Sequence, residues 1–193
     1  MAAPHGPLRR RLLAVTIFVA AMLVPGAGAV SADTGSGAVA TFRSGTIDLS
    51  KGWGDATACV AFAPADVRCY ATRAEADAAS AAERGPAAGA SDDVGLLALD
   101  DHCPDNWLCI FEHNNFQGRR LQFRDGYWQD LGPYGFSEQA SSWVNNQDCN
   151  LLNSKTDDGG LNGYPFGFAI TLSACALSSA LGDYDNWARG VRG

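Results

Sequence analysis

Six cysteines, at positions 59, 69, 103, 109, 149 and 175 of 193 residues, constrain this chain more than any other feature. Their meaning depends on the compartment, and the N-terminus speaks to that. Arg9, Arg10 and Arg11 precede an apolar run from Leu12 to Val24. Pro25-Gly26 breaks the run, and Ala27-Gly28-Ala29 offers a small-residue cleavage pattern, with Val30-Ser31-Ala32 as a second one. A charged segment, a short apolar segment and a small-residue site together predict a secretory signal peptide over residues 1–29. The run is too short to cross a bilayer, which takes roughly 20 residues, so no membrane partner is expected for the mature form.

An even cysteine count in an oxidising compartment predicts disulfides. Six cysteines allow many pairings. The sequence-neighbour solution, Cys59–Cys69, Cys103–Cys109 and Cys149–Cys175, is the expectation carried forward. The longest of these loops would contribute about 3 kcal/mol in the chain-entropy model. Zinc is disfavoured, because no Cys-x-x-Cys is present and the mature part holds only His102 and His113.

Charge narrows the partners. The chain carries a formal charge of −7, and its only lysines are Lys51 and Lys155. Loss of residues 1–29 removes three arginines and no acids, which takes the charge to −10. A phosphate backbone needs clustered cations, so nucleic acid is excluded as a partner. Oligomeric state leaves no trace in the sequence.

The mature chain divides into a module at 30–84, a linker at 85–100 and a β domain at 101–193. Ser31 to Ala40 read as a frayed lead-in. Cys59-Val60-Ala61-Phe62 and Val67-Arg68-Cys69-Tyr70 flank Ala63-Pro64-Ala65-Asp66, where proline presets a turn, so a hairpin is expected. Thr72-Arg73-Ala74-Glu75 is a capping box before an alanine-rich helix that ends at Gly85-Pro86. Such a helix buries little by itself and must lean on a neighbour. Beyond Asp101, aromatics become dense and glycines punctuate. Leu108–Phe111, Arg119–Arg124, Ser142–Val144 and Phe166–Leu172 read as strands of an all-β sandwich. Trp107, Trp128 and Trp143 are assigned to the core or its rim.

Phe111-Glu112-His113-Asn114-Asn115-Phe116-Gln117-Gly118, followed by Ser141-Ser142-Trp143, resembles a Greek-key motif of the βγ-crystallin superfamily. The resemblance implies that Phe111 and Phe116 clamp a folded hairpin, that Gly118 takes a conformation other residues avoid, and that the serines tie the hairpin down. The ring Cys103-Pro104-Asp105-Asn106-Trp107-Leu108-Cys109 sharpens it: ring plus hairpin resembles the small secreted bacterial metalloproteinase inhibitors, which have this fold. The close match spans Cys103 to Asn145. A fainter copy follows, in which Leu181 to Val191 resembles Leu131 to Trp143, with its hairpin read at Leu152, Asp157 and Gly159. The implied fold is mainly β, a βγ-crystallin-like Greek-key β-sandwich with a small N-terminal hairpin-plus-helix segment.

Calcium-binding microbial crystallins carry two acidic or amide residues, two variable ones and then Ser/Thr-Ser, which suits an ion wanting six to eight oxygens. Ser137-Glu138-Gln139-Ala140-Ser141-Ser142 keeps the serines, and Asp185-Asn186-Trp187-Ala188-Arg189-Gly190 keeps the acidic pair. One hybrid site from Glu138, Ser141, Asp185 and Asn186 is the candidate, with weak affinity expected because Arg189 opposes a cation. No other cofactor is implied.

No catalytic residue is assigned. A nucleophile needs a positioned base, His113 lies inside the hairpin, and no Gly-x-Ser-x-Gly, His-Glu-x-x-His or phosphate loop occurs. The resemblance implies a disulfide-stabilised inhibitor of an extracellular protease, metalloproteinases favoured, acting through a rigid loop. The reactive loop is not identified. The segment from Leu151 to Phe168 and the Cys59-to-Cys69 hairpin are candidates, with Phe166 and Phe168 assigned to the core. The alternative is a non-inhibitory secreted module of the same fold with weak calcium binding.

Overall fold

The computed structural model describes residues 37–83, 101–147, 149, 158–163 and 168–193. The proposed signal peptide and the 85–100 linker lie outside them. The described residues fall in one compact unit.

Twelve strands and one α-helix are described. The front segment contributes β1 (Val39–Phe42), β2 (Gly45–Asp48), β3 (Ala58–Ala63), β4 (Asp66–Tyr70) and α1 (Arg73–Glu83). From residue 101 onward come β5 (Leu108–His113), β6 (Gln117–Phe123), β7 (Gln129–Asp130), β8 (Ser142–Asn145), β9 (Gly159–Asn162), β10 (Ala169–Leu172), β11 (Ala176–Ser178) and β12 (Gly190–Arg192). One sheet runs β11-β8-β5-β6-β3-β4-β1-β2, and the other β10-β9-β12-β7.

That order exposes an internal repeat. Strands β5 to β8 form one four-strand motif and β9 to β12 a second. In each, the fourth strand pairs with the first, the first with the second, and the third crosses to the partner's sheet. This third-strand exchange makes a two-motif Greek-key sandwich. It also relocates the second hairpin. Because β9 is the counterpart of β5, the hairpin follows Asn162 and does not sit at Leu152–Gly159. By strand register, Asn162 of β9 stands where the first motif has Phe111, so the aromatic cue is missing and the register slipped when read from sequence.

The front segment is built into the first motif's sheet. Strand β3 pairs in parallel with β6, Ala58 opposite Arg120 and Val60 opposite Gln122, and β1 pairs in parallel with β4. The lead-in read through Ala40 ends earlier: the Ala38 amide donates to Pro133 O at 2.8 Å, and Ala40 is fully buried. The remaining strand partners are antiparallel. The hairpin turns at Ala63–Asp66, and the Cys59–Cys69 disulfide joins residues directly opposite in β3 and β4.

The large sheet is covered on both faces. Leu108, Ile110, Leu121 and Phe123 point toward Leu161, Leu172 and Val191 of the small sheet, with Cys59, Ala61, Leu49 and Trp53 extending this core from the front segment. The alternate residues Val60, Phe62, Cys109, Phe111 and Val144 form a second core with Trp107, roofed by Ala76 of α1. Double coverage explains why β3 and β5 read as unbroken apolar runs rather than alternating ones. The helix obeys its capping box: the Glu75 amide donates to Thr72 Oγ1 at 3.2 Å, and the Thr72 amide to Glu75 Oε2 at 3.1 Å. Alanines suit it, because only small side chains let it lie this close to the sheet.

Arginine 120 binds the two parts. Its side chain is fully buried and pairs with the carboxylate of Asp77 on α1. It also donates to His102 O at 2.7 Å, Gln122 Oε1 at 2.8 Å and Arg73 O at 3.3 Å. At the other end, Trp53 Nε1 donates to Tyr134 O at 2.7 Å.

Candidate functional site

The first folded hairpin is tied down from both sides. Asn115 and Phe116 both take positive φ, 57° and 59°, and Gly118 takes 75°. A Cβ on Gly118 would lie 2.9 Å from the His113 ring, so glycine is required there twice over. Phe111 and Phe116 meet edge to face at 5.6 Å. Ser142 Oγ donates to His113 O at 2.7 Å and accepts from the Phe116 amide at 3.1 Å. Ser141 Oγ donates to Glu112 O at 2.9 Å.

Beside this hairpin lies a cup of about 600 Å³, lined by Glu112, His113, Gln139, Ser141, Asp185 and Asn186 among others. The turn that carries Asp185 is locked to the first motif crosswise. The Glu138 amide donates to Ala188 O at 2.7 Å and the Asn186 amide to Ala140 O at 3.0 Å, with φ values of 58° and 53° at these equivalent positions. The fold therefore brings together three of the four residues proposed for a hybrid site: Ser141, Asp185 and Asn186. Glu138 does not line the cup. Its carboxylate is held by Arg189, Nη2 to Oε1 at 2.6 Å.

The cup's chemistry is poor for calcium. The Glu112 carboxylate accepts from Arg119 Nε at 3.0 Å and Nη2 at 2.9 Å, and that guanidinium holds its pKa below the ordinary carboxylate value. Arg119 also bonds Gln139 Oε1. The cup wall thus carries its own cation, and Asp185 is the carboxylate facing it without an arginine partner. A hard divalent ion wants several oxygens unopposed by a neighbouring guanidinium, so this donor set does not fit one well. Among the described residues, no cluster of three or more His, Cys, Asp and Glu is arranged to hold a metal.

Arg119 reaches further. Its guanidinium lies 4.8 Å from the Trp53 ring and 5.5 Å from the Phe136 ring. Trp53 belongs to the front segment, so that segment helps fix the arginine that shapes the cup.

Of the two histidines among the described residues, His102 packs at a tilt on Phe116 at 4.8 Å and His113 is exposed on the hairpin. Disulfides join Cys59 to Cys69, Cys103 to Cys109 and Cys149 to Cys175. The first two are buried, and the Cys103–Cys109 ring sits in the core beneath α1. Of the loops considered as reactive, the β3–β4 hairpin exposes Pro64 and Ala65 at its tip. Residues 151–157 and 164–167 of the other lie outside the described residues, Phe166 included.

One aromatic placement differs from expectation, and another falls at the rim that the sequence allows for it. Phe168 is not core: it is 57% exposed at the start of β10, packed on Tyr184 at 5.5 Å and Trp187 at 6.1 Å. Trp128 is 43% exposed, lying across Gly160 with Arg192 at 5.6 Å from its ring, whereas Trp107 and Trp143 are buried. Each lies at a loop–strand junction, where alternation has no run to act on.

Comparison with known proteins gives one family match: the model of peptidase inhibitor family I36 matches residues 98–152. That segment carries the Cys103–Cys109 ring, β5, β6 and β8 with the two tying serines. The match supports a proteinase inhibitor and implies a protein that is not an enzyme. No curated protein matches. Two solved structures are similar over 45% of this chain: a βγ-crystallin from Ciona intestinalis (17% identity, 96% of that chain, TM-score 0.35) and the N-terminal domain of protein S (16% identity, 92% of that chain, TM-score 0.34).

Proposed function

We propose that this chain is a secreted inhibitor of an extracellular metalloproteinase. The observation that carries the reading is the I36 match over residues 98–152, which falls on the ring-plus-hairpin segment. The resemblance of that segment to bacterial metalloproteinase inhibitors supplies the protease class. Three disulfides and a proteinase partner are compatible with an extracellular setting, and the Arg-rich, apolar N-terminus supports export. Among the described residues no helix is long and apolar enough to cross a membrane.

Physically, an inhibitor must present a surface that loses little freedom on docking and survives the enzyme it meets. The rigidity here comes from buried bridges, crosswise amide bonds between the two motifs and a sheet packed on both faces. The test is titration of the oxidised mature protein, residues 30–193, against a thermolysin-type metalloprotease and a serine protease, each with a peptide substrate. Stoichiometric loss of metalloprotease activity is the expected result. Loss of serine protease activity alone would move the target class, and two unaffected enzymes would sink the reading.

The cup of Ser141, Asp185 and Asn186 favours one second reading, a secreted structural module with weak calcium binding. The protease titration separates them, and isothermal titration with calcium checks the second, since tight stoichiometric uptake would contradict the poor donor set.

A further inference from the structure

Phe168 stands exposed on the half-buried rings of Tyr184 and Trp187, and we propose that this aromatic knob is the anchor by which this inhibitor seats in the cleft of its target peptidase, with Phe168 entering an apolar subsite. This rests on the inhibitor reading above. An isolated exposed phenylalanine needs no explanation, but this one belongs to a built structure. The Phe168 ring stacks on Tyr184 with 23° between planes, and Trp187 meets Tyr184 at 5.4 Å, so each ring touches the other two. Trp187 lies against Gly163, where a Cβ would sit 2.2 Å from the indole. Glycine there is what lets the indole lie down. The Tyr184–Trp187 turn is pinned at its amides: Tyr184 to Leu181 O at 3.1 Å, Asn186 to Ala140 O at 3.0 Å and Trp187 to Tyr184 O at 3.3 Å.

The Tyr184–Trp187 platform beneath Phe168 is therefore preorganised, while 57% of Phe168 stays open to solvent. A large apolar ring presented rigidly loses little entropy on binding, and aromatic anchors dominate interface energetics. The flanking charge specifies the partner further. Asp183 and Asp185 are exposed on the same turn, and the mature chain is strongly acidic. The complementary surface is an apolar subsite with a basic or neutral rim, and acidic flanks would speed encounter with it. The polar cup shares this turn through Asp185 and Asn186, so a convex apolar anchor adjoins a concave polar recess.

The test uses the oxidised mature protein and a thermolysin-type metalloprotease. Phe168→Ala is expected to raise the inhibition constant about 30-fold or more, the loss typical of an interface anchor. Asp183→Lys is expected to slow association and weaken its salt dependence. Tyr127→Ala removes an aromatic ring of similar exposure outside the knob and is expected to leave inhibition unchanged. Thermal midpoints of all variants should stay near wild type, and Phe168→Asp provides a second probe at the same exposed position. Wild-type inhibition with unchanged constants for both Phe168 variants would overturn the anchor and leave the inhibitor reading standing. A wild type that does not inhibit the metalloprotease would overturn both the anchor and the metalloproteinase target. Concentration-dependent dimers abolished by Phe168→Ala, with inhibition intact, would assign the knob to a second copy of this chain and overturn the proposal.

Discussion

Asp77→Ala should be among the most damaging changes to a residue that sits partly at the surface. Asp77 is about one-third exposed, yet it is the counter-charge of the fully buried Arg120 guanidinium. Removing one partner of a buried ion pair costs about 3–5 kcal/mol, because the charge left behind stays desolvated. Three neutral acceptors remain, His102 O, Gln122 Oε1 and Arg73 O, and water can reach the Asp77 side, so the lower end, about 3 kcal/mol, applies here. With a urea slope of roughly 2 kcal/mol per molar, the midpoint should fall by about 1.5 M at unchanged slope. The double variant Asp77→Ala/Arg120→Met removes both charges and keeps most of the buried volume, and should lie within about 1 kcal/mol of wild type. Urea denaturation of the oxidised mature protein, followed by tryptophan fluorescence, measures both. A single-variant shift under about 0.3 M, or a double variant no better than the single, would refute the claim that a buried charge joins the helix to the sheet.

Three further outcomes are expected. Burial holds the Tyr134 phenol up at about 12, against an ordinary value near 10, so the folded state favours the protonated form and its contribution is full below pH 10. Stability should drop by about 3 kcal/mol as pH rises from 10 to 12, and unfolding of Tyr134→Phe across that window should show the drop flattened. Gly135 sits at φ 60° with its would-be Cβ 2.3 Å from Leu49 O, so Gly135→Ala should cost about 2–3 kcal/mol, read from the same denaturation curves. A chain beginning at Asp101 would strip β3 from the edge of β6 and Ala76 from the outer core. It should bind a hydrophobic dye and lose near-UV dichroism, and a cooperative transition at the wild-type midpoint would contradict this.

What the sequence made legible was local. The Thr72–Glu75 capping box, the proline-led β3–β4 turn and the Phe111-Phe116-Gly118 hairpin each lie within a dozen residues, where backbone preference and spacing act directly. The serines at 141 and 142 were reachable through resemblance, since nothing near them in sequence shows which hairpin they bind. What escaped was long-range. The parallel pairing of 58–60 with 120–122 leaves no local signature, because a strand's periodicity does not name its neighbour. Arg120 in a polar–apolar run reads as a solvent-facing charge, and only the helix laid over it makes it buried. Phe168, at the junction of a loop and a strand, carried no pattern that could separate core from knob. For the cup, the sequence brought the serines and the acidic pair into view, and the third-strand exchange brought Ser141 and Asp185 face to face. The Arg119 that spoils it for calcium depends on Trp53, far upstream.

The parallel β3–β6 pairing has a consequence for how the chain is made. In synthesis, residues 58–60 emerge some sixty positions before their partners at 120–122. Until β6 emerges, the front hairpin has its own disulfide, β1 beside β4 and α1 over it, but the edge of β3 that β6 will pair stays open. Closing so long a loop is slow relative to hairpin formation. Anything that shortens the wait, such as a chaperone that shields the open edge or a faster β5–β6 hairpin, should raise the yield of folded protein without altering the stability of what is finally folded.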